Sequence, residues 1–103
     1  MPVSCSEQFR LAAKDWVEAD AAASLLEETK AANLSQMMLA TGADSVSKSE
    51  MLAKASPQWT EYIEAMVEAR RKANLLKVKL EWIRMKFQEQ SSAEATARAE
   101  RRL

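Results

Sequence analysis

The chain has 103 residues, with 15 Lys plus Arg against 15 Asp plus Glu, one Gly, two Pro, one Cys and no His. That length fits one domain with a thin core, and a net charge of zero argues against wholesale coating of nucleic acid or of an anionic membrane. Strong helix formers with almost no breakers imply long helices, while the lack of His, of a second Cys and of a second Gly excludes the usual general base, a structural zinc site and Gly-rich phosphate loops.

The first predicted helix spans residues 6–41. Ser4 and Glu7 have capping-box spacing at its start. Phe9, Ala13, Trp16, Ala23, Leu26, Leu34, Met37 and Met38 follow a helical period. Gly42 is the natural stop, since glycine accepts the left-handed backbone that ends helices. A short helix is expected over 47–55, with Ser47 and Glu50 as a second capping box. Ser56 and Pro57 then read as the cap and first position of a third helix.

That third helix carries the clearest pattern. Trp59, Met66, Ala73, Leu80 and Phe87 are spaced by seven, and Tyr62, Ala69, Leu76 and Ile83 repeat the spacing three residues later. The two rows form one apolar seam, so a helix is expected over 57–90. Ser91, Ser92 and Glu94 are candidates to cap a further helical segment, and a helical but frayed tail is expected over 91–103. Two long helices and a short connector are arranged most economically as a single all-α domain: a long antiparallel hairpin with the connector at its turn.

A second apolar stripe lies on the same helix. Leu75, Val78, Trp82 and Met85 fall at i, i+3, i+7 and i+10, away from the seam. A helix that is apolar on two sides must bury both. Either the connector folds back over the stripe or another chain covers it. The second is favoured, with a homodimer first because closed pairs are the commonest oligomers; dimerisation would then complete a helical bundle. Exposed Trp and Met are also common anchors for a protein partner.

Charge is uneven along the chain. Between residues 70 and 86 stand Arg70, Arg71, Lys72, Lys77, Lys79, Arg84 and Lys86, with Glu81 the sole acid. Arg70, Lys77 and Arg84 line one flank of the seam and Lys72, Lys79 and Lys86 the other, each at intervals of seven. Residues 1–41 are acidic in balance. In the favoured reading the basic flanks meet the acidic first helix and set its orientation. In the other they form a surface for phosphates or an acidic partner.

Nothing points to catalysis. Cys5 lacks a His to activate it. Acid pairs such as Glu61 with Glu64 read as solvated side chains on a charged face. The methionines, including Met37, Met38, Met66 and Met85, read as adaptable core filler. No cofactor, metal or small-molecule substrate is expected. No run of about 18 apolar residues would span a membrane, and the start lacks the pattern of a secretory signal. With a single Cys, these features make the cytoplasm the expected location.

Several segments carry a resemblance: residues 25–30 (LLEETK), 54–59 (KASPQW), 92–100 (SAEATARAE), Glu68-Ala69-Arg70 and Ala73-Asn74-Leu75. Together they resemble a group of small proteins encoded by bacteriophages and prophages, often near recombination and single-strand-annealing genes. The resemblance assigns no residue a role. It implies a phage accessory protein in the bacterial cytoplasm, acting on DNA-processing or defence machinery. The expected function is therefore non-catalytic: an accessory factor or inhibitor that binds a protein partner. Leu75, Val78, Trp82 and Met85 would be its anchors. Direct binding of DNA or RNA by the basic 70–86 stretch is the alternative; a DNA mimic is disfavoured by the neutral charge.

Overall fold

A computed structural model describes residues 4–102; residues 1–3 and 103, including Pro2 and the end of the expected tail, lie outside the described residues. The described residues form four α-helices and no strand: α1 (Cys5–Glu28), α2 (Lys30–Ala40), α3 (Val46–Lys54) and α4 (Pro57–Arg101). The molecule is a rod measuring 84 × 25 × 17 Å.

Ser4 caps α1, its Oγ accepting the Glu7 N–H at 3.2 Å. The Glu7 carboxylate pairs with Arg10 one turn on. The expected helix over 6–41 is divided at Thr29, whose backbone lies at φ −91°, ψ 1°. The cause sits on α4. The Tyr62 hydroxyl donates to the Leu26 carbonyl, the acceptor that the Lys30 N–H would use in a regular helix. It also lies 3.1 Å from Thr29 Oγ1, which itself donates to the Leu25 carbonyl at 2.7 Å. Side chains inserted into the backbone ladder break a helix in this way.

Gly42 ends the turn after α2 with φ +67°, as its position predicts. The cap of α3 is Ser45, not Ser47. Ser45 is extended and its Oγ accepts the Lys48 N–H at 3.2 Å, which leaves Ser47 inside the helix. α3 folds back onto α2. The Ser56 Oγ caps α4 by accepting the Trp59 N–H at 3.3 Å, with Pro57 at the first position.

α4 runs for 45 residues, about 68 Å at 1.5 Å per residue. It passes through Ser91 and Ser92 without a new start. Serine inside a helix costs only tenths of a kcal/mol, and no Gly or Pro follows. α1 runs back along α4 in the opposite sense. Leu26 and Thr29 meet Tyr62, Asp20 and Glu27 meet Arg70, and Cys5 and Phe9 border the same cleft as Arg84 and Phe87.

The α4 seam faces this contact. Trp59, Ala73 and Ile83 are buried; Tyr62, Met66, Ala69, Leu76 and Leu80 are half-buried; Phe87, at its end, is half exposed. On α1 the facing row is Phe9, Ala12, Trp16, Ala19, Ala23 and Leu26, at alternating intervals of three and four. Ala12 is buried where Ala13 was expected, and Ala13 is half-buried beside it. With Ala12, Ala23 and Ala73 at the contact, the two backbones approach closely, since interaxial distance follows side-chain size. The Trp59 and Tyr62 rings stack at 5.8 Å between centroids.

Candidate interaction surface on helix α4

A helix whose seam is turned toward α1 presents its opposite side to solvent. Leu75, Val78, Trp82 and Met85 lie half a turn from the seam and are 55%, 63%, 58% and 57% exposed. Their spacing repeats the three-four alternation of a helix-packing stripe. Val67, which the sequence reading did not single out, adds to the same face and is exposed. Its signal was available: it stands eleven residues before Val78, three helical turns away. The connector does not cover the stripe, because α3 is occupied with α2 at the other end of the rod.

The basic residues separate into two groups. Arg70 is engaged inside the chain. Its Nε and Nη2 donate to the Glu27 carboxylate at 3.0 and 2.7 Å, its Nη1 to Asp20 at 2.7 Å, and its Nη2 to the Ser24 hydroxyl at 3.3 Å. Hydrogen bonding from Arg70 holds the Glu27 carboxyl below the ordinary carboxylate range, and Glu27 with Asp20 raises the Arg70 guanidinium in turn. Arg70 therefore leaves the candidate phosphate-binding set and orients α1 against α4. Arg71 donates to Glu68 one turn back, at 3.0 and 2.8 Å.

Among the described residues, Lys72, Lys77, Lys79, Arg84 and Lys86 take part in no ion pair. Lys72 borders a shallow cleft with Asp15 and Glu18, on the flank where the sequence places α1 acids. Lys86 Nζ lies 5.3 Å from the centre of the Trp82 ring, a cation over an aromatic face one turn away. So the seven basic positions do not form one patch. Arg70 is locked to α1, Arg71 pairs along its own helix, the lysines at 72, 79 and 86 form a row beside the apolar stripe, and Lys77 and Arg84 follow Arg70 on the other flank of the seam.

At the far end of the contact, Cys5, Ser6, Phe9, Arg84 and Phe87 line an open cleft of about 280 Å³. Among the described residues no group of three or more Asp, Glu or Cys side chains is placed to hold a metal ion, and no helix is long and apolar enough to cross a membrane. Compared with protein-family models, curated proteins and solved structures, the chain finds no match.

Proposed function

We infer that the protein works by stoichiometric binding, as a helical hairpin whose bundle is completed by another chain seated on the outer side of α4. The exposed row of Leu75, Val78, Trp82 and Met85 supports this reading. Four large apolar side chains at packing intervals lose contact with water only if a neighbour arrives, and full burial is worth about 1.5–3 kcal/mol for each. Two occupants complete such a bundle: a second copy, giving a homodimer, or a helix of a different protein. The resemblance to phage and prophage proteins supplies the setting, an accessory factor or inhibitor acting on nucleic-acid-processing or defence machinery in the bacterial cytoplasm. No catalytic step belongs to this reading.

The test is affinity purification from bacterial lysate after nuclease treatment, comparing the native chain with Trp82→Ala. The variant should keep its helicity and lose both self-association and partner capture. A variant that unfolds would make Trp82 ordinary core and end the proposal.

A second reading has its own observation: Lys77, Lys79, Arg84 and Lys86 are free of ion pairs among the described residues. Direct binding of DNA or RNA through them requires affinity that falls steeply with salt and is lost when Lys77 and Lys79 become Glu. No binding to short duplex or single-stranded DNA at low salt would remove it.

A further inference from the structure

We propose that the occupant of the outer side of α4 is an amphipathic helix of a different protein, with an apolar stripe and a row of acidic residues along one edge. The proposal rests on the binding reading above and names the chemistry of its partner. It comes from what borders the stripe. Read as a helix-packing seam, Leu75 and Trp82 occupy one core position and Val78 and Met85 the other. One edge is then Lys72, Lys79 and Lys86; the other is Asn74, Glu81 and Gln88. The lysine edge is uniform, and none of its members has an ion-pair partner among the described residues. Lys86 already stands against Trp82, so a cation sits at the rim of the apolar stripe itself.

A second copy meets a clash of like charges in either orientation. Antiparallel packing centred near Leu80 sets Lys79 against its own counterpart and Lys72 against Lys86. Parallel packing relieves that edge but stacks Arg71 on Arg71 and Glu89 on Glu89 at the ends of the stripe. Edge charges of this kind choose helix partners, by repelling wrong ones as well as by attracting right ones. A nucleic acid would answer the lysines but leave the aliphatic and indole surface unmatched. An acidic amphipathic helix answers both.

The probes are two synthetic helices of about four heptads, each with Leu on its apolar stripe. One carries Glu along an edge and the other Lys. Binding to the full chain is measured by fluorescence anisotropy. The acidic helix should bind about tenfold or more tightly than the basic one. Lys79→Glu with Lys86→Glu, both on exposed positions, should keep native helicity by circular dichroism and reverse that preference. Trp82→Ala should abolish binding of either probe.

Equal binding of the two probes, or a preference unmoved by the charge reversal, overturns the proposal. Failure of both probes, with self-association that Trp82→Ala abolishes, also overturns it, but leaves the binding reading standing with a second copy as occupant. Failure of both probes with no self-association removes both. Binding of a short DNA duplex that Lys79→Glu abolishes, with neither helix bound, overturns it in favour of nucleic acid.

Discussion

The Tyr62 hydroxyl occupies the carbonyl that would continue the helix past Thr29, and two side chains on distant segments thereby set where α1 ends. Tyr62→Phe keeps the ring and its stacking on Trp59 but removes these bonds. Stability should fall by about 1 kcal/mol in urea unfolding, and the Lys30 amide should become more protected from hydrogen exchange as the ladder closes. The Arg70 cluster gives a second residue-level expectation. Glu27 is depressed in the folded state, so the stability it supplies is fully present above the ordinary carboxylate range and is lost as pH falls through its folded value. Urea unfolding between about pH 6 and pH 3 should show a smaller acid loss in Arg70→Gln than in the native chain. An equal loss in both would mean that Arg70 does not govern Glu27. Neither cluster was legible in the sequence beyond its location. The heptad placed Tyr62 on the seam and charge placed Arg70 on a flank, but the partner of each depends on the register of α1 against α4, which spacing within one helix does not define.

At the scale of elements, α4 was the most legible because its seam combines large residues with a strict repeat. Its extension through Ser91 was not, because serine beside a possible cap has two uses and only the absence of a breaker decides between them. The α1 row was read one residue off at Ala12, since alanine carries a weak apolar signal and Ala12 and Ala13 are adjacent. These alanines govern how closely the helices approach. Ala73 has no exposed surface, so Ala73→Leu should force α1 and α4 apart and cost about 1–3 kcal/mol by thermal or urea unfolding. At the other end, Gly42 sits at φ +67° with nothing within 4 Å of where a Cβ would stand. Gly42→Ala should therefore cost about 1 kcal/mol through backbone strain alone, leaving the helical circular dichroism unchanged.

The whole molecule is a rod with one face of α4 turned inward and the opposite face open. The sequence made both faces readable, since each follows a helical interval. It left open whether the connector or another chain covers the outer one. That choice was settled for the connector by length and position: α3 has nine residues and lies against α2, beyond the reach of Trp82. The basic stretch divides by position too: among the described residues Arg70, level with Asp20 and Glu27, is the one that forms ion pairs with acids on α1. Urea unfolding of a Val78→Gln, Trp82→Gln double variant, at a concentration where the free chain is monomeric, tests whether the outer face belongs to a partner. The variant should match the native chain within about 0.5 kcal/mol, as surface substitutions do. A loss of several kcal/mol would mean that these side chains stabilise the isolated fold and are not held open for another chain.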